Sequence, residues 1–425
     1  MIANMAAFII VILVGLAIKN FTSIGVFNNA AYALGILMLV GYIGGKLIKK
    51  LRFPSITGSI LAGILVGPYG LSLISLKNAD DLQLLNGLAL SIIALTAGGE
   101  INFSRLKKNL KAINSILFFQ SFIMIAGIMV FIIVIKNWIP FLRPLDPSVA
   151  LASGLLLGII ATASSPSTTL AVIVESGVRN RLTEITLSIV MLKDIIILFM
   201  FCIGLNIAMG LVGGSEQGQA TIMATFTEIS GSLGSGIVIG FIIVLYLKFV
   251  SKDTIVFILA LSFFSYEILE PLHLHPLLVM MVAGFVVENF SKEGDNLMKH
   301  LESLSPPVYV IFFTLTGATI NLNYLRELWL LALLIATARI LFKHLGSWTG
   351  ALIVREPGPV RSRMWMPFIS QAGLSLGMAK VIEQSFADLG ANLAVLIISV
   401  IVINQIAGPL LLKIFLDQSV RLTNK

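Results

Sequence analysis

Residues 189–198 read IVMLKDIIIL, an apolar stretch with a lysine and an aspartate side by side at its centre. The whole chain shares this apolar character: of its 425 residues, 57% are hydrophobic and 12% are charged, and the mean hydropathy is +0.99. A soluble globular domain is about 25% charged. The chain has too few polar residues to cover a water-facing surface, so the sequence predicts a membrane protein.

Several classes of function lack the residues that they need. Cys202 is the single cysteine, which excludes a disulfide framework and a cysteine-based metal site. The four histidines have no metal-ligand spacing, and no glycine-rich phosphate loop ends in Lys-Ser or Lys-Thr. We therefore expect no cofactor, no ATP hydrolysis and no enzyme activity.

Apolar segments long enough to form membrane helices recur along the chain. A bilayer-crossing helix needs about 20 mostly apolar residues. No basic stretch precedes the short first segment, so we expect a retained helix there and not a signal peptide. The expected fold is an all-α polytopic membrane protein with about 14 transmembrane helices, at 3–18, 30–49, 56–75, 84–100, 113–136, 149–174, 183–211, 225–250, 254–270, 275–291, 304–320, 326–354, 364–386 and 389–415.

The basic residues indicate how these spans are oriented. With both termini in the cytoplasm, the inside connections carry 20 of the 29 lysines and arginines, and the outside connections carry five. Cytoplasmic loops are enriched in lysine and arginine, so this orientation is favoured. Because the basic residues are spread over seven loops, the net charge of +8 does not indicate nucleic-acid binding. We expect a bacterial inner-membrane protein with both termini cytoplasmic.

The two halves of the chain resemble each other in order and spacing. INFSRL (101–106) ends the fourth span as INLNYL (320–325) ends the eleventh, and TLAVIVE (169–175) parallels GMAKVIE (377–383). Copies seven spans apart have opposite orientations, and inverted repeats are typical of secondary transporters with a substrate site at mid-bilayer. Chance similarity among apolar sequences is the alternative. The predicted domains are an extra N-terminal helix and loop (1–29), a first repeat (30–211), connecting helices (212–274) and a second repeat with a short tail (275–425).

Two spans contain sequences that break helices. The sixth contains ATASSPSTTL (161–170) and the thirteenth contains MPFISQAGLSLG (366–377). At membrane depth, irregular backbone occurs only where it lines a cavity or is packed in protein, and its exposed carbonyls and amides suit small ions. We expect both spans to break in mid-membrane; a simple kink in each is the alternative.

Charged residues also occur in the middle of two spans. Asp194 lies near the centre of the seventh span, and Arg339 and Lys343 share one face of the twelfth. Intramembrane charges are functional candidates by default. Asp194 is the candidate site for a proton or a cation; as an alternative, it only neutralises Lys193, Arg339 or Lys343 in a buried structural pair.

The stretches LRFPSITGSILAGILVGPYGL, LTAGGEINFSRLKK, IIATASSPSTTLAVIVESG and ARILFKHLGSWTGAL together resemble the monovalent cation:proton antiporters. The second branch of that family, with bacterial sodium/proton antiporters and the membrane part of potassium-efflux systems, is the most similar. The resemblance implies a core with two broken crossing helices, a dimerisation region and elevator-type alternating access.

The resemblance also assigns roles to residues of this chain. It implies that Asp194 binds the cation or the proton and that Lys343, with Arg339, balances charge. The unwound segment beside Asp194 corresponds to Thr162, Ser164, Ser165, Ser167 and Thr168, and the second crossing contains Ser370, Gln371 and Gly373.

Lys193 departs from the family pattern, in which Asp, Asn or Gln usually precedes the essential aspartate. If all four groups ionise, Lys193, Arg339, Lys343 and Asp194 sum to +2 at mid-membrane. This sum requires that a lysine is neutral, that a further partner is present or that an anion binds. Lys193 would then serve as a built-in substitute for a bound cation or as the proton carrier itself.

We therefore expect a secondary transporter that exchanges a monovalent cation (Na⁺ or K⁺) for H⁺. It would work in the lipid membrane as a homodimer. The same fold moving an anion or another solute is one alternative, and a cation channel or a non-transporting sensor is another.

Overall fold

The structure of the protein is a computed structural model that describes residues 2–21, 29–51, 53–212, 218–250, 252–269, 271–272, 274–371 and 373–423. These residues form α-helices and two short 3₁₀ helices, Lys136–Trp138 and Met366–Phe368, with no strand in the described ranges. The α-helices are α1 (Ile2–Phe21), α2 (Ala30–Lys50), α3 (Ser55–Val66), α4 (Leu76–Asp81), α5 (Gln83–Gly99), α6 (Phe103–Ile135), α7 (Pro147–Thr162), α8 (Pro166–Ser176), α9 (Arg181–Val212), α10 (Gly218–Phe249), α11 (Thr254–Leu269), α12 (Pro276–Phe290), α13 (Gly294–Ala318), α14 (Leu322–Ile353), α15 (Gly358–Arg361), α16 (Gly373–Ser385) and α17 (Ala387–Thr423).

The lengths of the helices agree with a polytopic membrane protein. Within the described residues, seven helical spans are long and apolar enough to cross a membrane, with α7 and α8 counted together as one, and five more are apolar but shorter. These helices lie at twelve of the predicted spans. The eleventh predicted span is α13, and the thirteenth consists of the second 3₁₀ helix followed by α16. The all-α fold class is confirmed.

Two of the predicted spans contain much shorter helices than their bounds imply, whereas α6 and α13 begin earlier than the fifth and eleventh predicted spans. The third ends at Val66 and not near residue 75, because Pro68 disfavours a helical conformation at Gly67. The chain then turns back, and the amide of Leu71 donates to the carbonyl of Leu65 at 2.7 Å. In the thirteenth, the N-terminal part consists of turns and a 3₁₀ helix, in which the amide of Phe368 donates to Trp365, three residues earlier.

The chain divides into two compact units. The first contains residues 1–102, 170–175 and 231–322, and the second contains residues 103–169, 176–230 and 323–425. Each unit takes segments from both predicted repeats, so the units are not the sequential halves of the chain. INFSRL and INLNYL occupy equivalent local positions, since a short break separates α5 from α6 and likewise α13 from α14. The repeat itself stays a prediction.

The first unit has an apolar core formed mainly by α2, α3 and α13. Its buried residues include Leu37, Val40 and Val66. The start of α3 is capped by a distant carboxylate in the same unit: both oxygens of Glu175 accept the amide of Ser55, at 2.9 and 3.0 Å. Such a cap satisfies an amide that the first turn of a helix leaves without a partner.

The second unit packs α6, α7, α9, α16 and α17 around one apolar core, which includes Ile160, Phe201 and Ile397. The N-terminus of α9 is fixed within this unit. Asn180 accepts the amides of Leu182 and Thr183, each at 3.0 Å, in the manner of an N-cap.

Arg181, the first residue of α9, forms a two-pronged ion pair with the nearly buried Glu356. Its Nη1 and Nη2 atoms lie 3.0 and 2.5 Å from the two carboxylate oxygens. Its Nε atom also donates to Asn109 of α6 at 3.0 Å. These contacts hold the start of α9, the helix that carries Lys193 and Asp194, against α6 and Glu356.

Candidate functional site

The sixth predicted span is broken as expected. α7 ends at Thr162, Ala163 is extended (φ −54°, ψ 148°), and α8 begins at Pro166. Pro166 has no amide hydrogen to donate, and it disfavours the helical conformation at Ser165. The five hydroxyl residues of the predicted site here, Thr162, Ser164, Ser165, Ser167 and Thr168, are all buried.

The thirteenth predicted span is also broken, between Phe368 and the start of α16 at Gly373. The two breaks contact each other within the second unit. The amide of Ser165 donates to the carbonyl of Ser370 at 2.8 Å, and the hydroxyl of Ser164 donates to the carbonyl of Phe368 at 3.0 Å. The structure therefore brings the two predicted crossing segments together.

The five hydroxyl groups of the first break have different hydrogen-bond partners. Thr162 donates back to the carbonyl of Gly158 at 3.0 Å, within its own helix. Ser165, Ser167 and Thr168 form a cluster in which the hydroxyl of Ser165 lies 3.0 Å from each of the other two. Ser165 also accepts the amide of Thr168 at 3.2 Å, so it caps the N-terminus of α8.

Arg339 joins the two breaks through its guanidinium group. It donates to the carbonyls of Ala161 and Ala163 in the first break, each at 2.7 Å, and to that of Ile369 in the second at 2.6 Å. The residue is fully buried on α14. A planar fork of donors suits this task, because it reaches several acceptors in different directions at once.

Lys343, one turn further along α14, caps the C-terminal end of α7. Its ammonium donates to the carbonyl of Thr162 at 2.8 Å, the carbonyl of Ala163 at 3.2 Å and the hydroxyl of Ser164 at 2.9 Å. A helix C-terminus carries partial negative charge on its unpaired carbonyls, which a cation stabilises. Both predicted charge-balancing residues are therefore held by backbone carbonyls of the breaks.

Asp194 presents an unsatisfied oxygen. The residue is 5% exposed, and its Oδ1 atom has no hydrogen-bond partner among the residues that the structure describes. Within the same residues, no ion pair joins it to Lys193, Arg339 or Lys343. A buried carboxylate oxygen without a donor is costly, and such a group in a native fold calls for a ligand or a proton.

The side chain of Lys193 contacts residues other than Asp194. It is fully buried, donates to the side-chain oxygen of Gln120 on α6, and lies 4.5 Å from the ring centroid of Phe368. The side-chain nitrogen of Gln120 in turn donates to Ser347 of α14 at 2.5 Å. Neither Gln120 nor Ser347 was predicted from the sequence as a site residue. The available signal was one glutamine inside the apolar run SILFFQSFIMI (115–125).

The second break has a polar cluster without formal charge. Gln371 donates to the carbonyl of Ile160 at 2.9 Å and accepts from Asn404 at 2.9 Å. The side-chain nitrogen of Gln405 and the hydroxyl of Ser370 are buried without hydrogen-bond partners among the described residues. Gly373 is the first residue of α16, and the cluster lies beside the first break through the bond to Ile160.

Comparison with known proteins identifies the family of this chain. The family model described as "Sodium/hydrogen exchanger, transmembrane" matches residues 34–418 of the chain. The chain belongs to the sodium/hydrogen exchanger family. A relative, "Probable Na(+)/H(+) antiporter 3" of Methanocaldococcus jannaschii, is 24% identical over 392 residues, which cover 90% of this chain and 95% of the relative.

Solved structures of one exchanger are also similar. The sodium proton antiporter MjNhaP1 from Methanocaldococcus jannaschii, in a structure at pH 8, gives a TM-score of 0.65 at 18% identity, covering 92% of this chain and 96% of that one. An electron-microscopy structure of the same antiporter gives 0.70 at 18% identity, covering 92% and 95%. At this identity the likeness shows the fold.

Membership of the exchanger family confirms the resemblance and makes the chain an integral membrane protein. The family consists of cation/proton exchangers, which are transporters and not enzymes. The roles of individual residues come from the geometry of the site.

Proposed function

We propose that this chain exchanges a monovalent cation, sodium or potassium, for protons, and that Asp194 binds the two ions in turn. The observation that carries the proposal is the Oδ1 atom of Asp194, which is buried and lacks a donor among the described residues. A proton or a cation on this carboxylate removes the cost of the unsatisfied oxygen. Because both ions use the same group, they exclude each other, and this exclusion couples their movements.

The surrounding charges support this role for Asp194. Arg339 and Lys343 donate to backbone carbonyls, and Lys193 donates to Gln120. In a buried structural pair, Asp194 would be joined to one of these three cations, and no such contact is present among the described residues. The three cations therefore leave the carboxylate open to a mobile ion.

Further oxygen ligands are available near the breaks. Alkali cations bind oxygen atoms, which in proteins are those of carboxylates, hydroxyls and carbonyls. The hydroxyls of Thr169 and Ser370 are buried without partners among the described residues. We propose that the segment 162–169 and Ser370 complete the cation's coordination when it is bound to Asp194.

We further propose that the exchanger works by elevator-type alternating access, as a homodimer in a bacterial inner membrane with both termini cytoplasmic. The elevator part is supported by the location of the site: Asp194, both breaks, Arg339 and Lys343 all belong to the second compact unit. A unit that contains the complete site is able to carry a bound ion as one body. The orientation rests on the distribution of lysine and arginine among the loops.

Anion transport by the same fold is the second candidate, since the buried groups sum to +2 if all ionise. It is the weaker one, because the donors of Arg339 and Lys343 are directed to carbonyls of their own unit and an anion would have to displace them. Flux that follows chloride and ignores the cation would favour this candidate.

The decisive experiment uses purified protein in liposomes with an imposed pH gradient. Sodium, potassium, lithium or choline salts are added in turn, and the lumenal pH is followed for the wild type and for Asp194→Asn. We expect one alkali cation to collapse the gradient in the wild type only. The control is Asp417→Asn, at an exposed aspartate that lies 3.5 Å from the ammonium of Lys413, and this variant should behave as wild type. Cation-dependent flux retained by Asp194→Asn would overturn the proposal.

A further inference from the structure

We propose that Gln120 is a positioning residue of the ion site: it holds the ammonium of Lys193 against α6 and so keeps a tethered competitor away from Asp194. This inference rests on the proposed function of Asp194 as the cation-binding carboxylate. It assigns a role to the unexpected lysine that precedes that residue.

The orientation of the Gln120 amide follows from its neighbours. Lysine has donors only, so the Gln120 atom that faces Lys193 is the oxygen, and the amide nitrogen is left to donate to Ser347. Gln120 and Ser347 are both fully buried. Burial shields these bonds from bulk solvent, so the oxygen remains directed at the ammonium.

Close packing of α14 against α6 holds this arrangement in place. A Cβ atom at Gly346 would lie 2.6 Å from the Cα atom of Gln120, and one at Gly350 would lie 2.5 Å from the Cα atom of Ile116. Small residues four apart let two membrane helices approach at backbone distance. Ser347 is therefore set directly beside Gln120.

The aromatic ring of Phe368 adds a second contact for the ammonium. The Nζ atom of Lys193 lies 4.5 Å from the ring centroid, within the range of a cation–π interaction. The backbone at Phe368 is itself fixed, because its carbonyl accepts from Ser164. The amide oxygen and the ring together form a small cradle for one positive charge, which we name the ammonium cradle (Gln120, Phe368).

Lys193 competes with a transported cation because both are single positive charges that a carboxylate binds. The two residues are consecutive on α9, and a lysine side chain is a flexible stem of four carbons. Without the Gln120 oxygen, the buried ammonium loses an acceptor and must find another. The Oδ1 atom of Asp194 is a carboxylate oxygen without a donor among the described residues, and it offers the stronger, charge-assisted bond.

The test compares four proteins: the wild type, Gln120→Leu, Ser347→Ala and the double variant Gln120→Leu/Lys193→Met. Sodium and potassium binding is measured by calorimetry on purified protein, and transport is measured in liposomes. We expect Gln120→Leu to weaken cation binding and raise KM about tenfold, since a hydrogen bond to a charged group is worth about 1.5 kcal/mol or more. The change in kcat should be smaller. Ser347→Ala should shift KM in the same direction by less, because it only loosens the Gln120 amide.

The double variant separates positioning from a general structural role. Removing the ammonium should return KM toward the wild-type value, because no competitor is left. The control is Ser115→Ala, which removes another hydrogen bond between α6 and α14, to the carbonyl of Gly350 at 2.8 Å, without touching Lys193. Its KM should not change.

Two results would overturn the inference alone: wild-type KM in Gln120→Leu and Ser347→Ala, or a raised KM that persists in the double variant. If the wild type neither binds nor transports any alkali cation, the proposed function fails, and this inference fails with it. Binding by the wild type therefore distinguishes the two failures.

Discussion

The ammonium of Lys343 lies 2.8 Å from the carbonyl oxygen of Thr162, so the C-terminal end of α7 is capped by a cation from α14. The same nitrogen lies 3.2 Å from the carbonyl of Ala163. A helix that ends inside the membrane has carbonyls with no water to satisfy them. Lys343 supplies the missing donors, and its charge opposes the negative end of the helix dipole.

Lys343→Met should therefore destabilise the folded protein. The change leaves two buried carbonyls and the hydroxyl of Ser164 without this donor, at a cost of about 2 kcal/mol. Thermal unfolding of the purified protein in detergent measures the effect as a lower Tm. Lys77→Met, at an exposed lysine of α4, is the control. An equal Tm for both variants would contradict the capping role.

Arg339→Lys should destabilise the protein although it conserves the charge. One ammonium cannot replace the fork that donates to Ala161, Ala163 and Ile369, so at least one buried carbonyl loses its donor at a cost of about 1–3 kcal/mol. The Tm should fall, whereas Arg143→Lys, at an exposed position, should leave it unchanged. A wild-type Tm in Arg339→Lys would show that the fork is not needed.

Gly346→Ala should separate α14 from α6. The new Cβ atom would lie 2.6 Å from the Cα atom of Gln120, and backbone atoms cannot yield without moving a helix. Overpacking of this kind costs about 1–3 kcal/mol. Gly210→Ala on α9 is the matched control, because a Cβ atom there meets nothing within 4 Å. We expect a lower free energy of unfolding for Gly346→Ala than for Gly210→Ala. Similar values would refute the close contact.

Arg181 and Glu356 should be coupled in a double-mutant cycle. Arg181→Met leaves the nearly buried Glu356 carboxylate without its partner, and Glu356→Gln removes the charge from the other side. Because the arginine side chain is 50% exposed, we expect a coupling of about 1 kcal/mol, below that of a fully buried pair. The free energies of unfolding of both single variants and the double variant give this coupling. Additive effects would mean that the pair does not fix the start of α9.

The fold was largely predictable because its signals are local. Long apolar runs fix the helices, and Pro166 among serines and threonines marks the break in the sixth span. Pro68 ends the helix of the third span at Val66, earlier than the apolar pattern alone indicates. In the thirteenth span, Pro367 is the corresponding local signal, within the quoted stretch MPFISQAGLSLG (366–377).

The candidate residues of the site could be named from the sequence, but their contacts could not. The intramembrane charges identify Asp194, Arg339 and Lys343 as candidates because ions are costly there. Their partners could not be read from the sequence, since backbone carbonyls leave no trace in residue types. Gln120 is 73 residues from Lys193, and only packing brings the two together.

The ammonium cradle has a quantitative consequence for the cell. A tethered group has an effective concentration in the millimolar range or above, which does not change with the salt in the surroundings. On our proposal, an alkali cation must outcompete the fraction of Lys193 that leaves Gln120 before it occupies Asp194. The cation concentration at which the exchanger begins to act then depends on the strength of one amide–ammonium bond. Substitutions on α6 would change that concentration while the carboxylate itself stays unchanged.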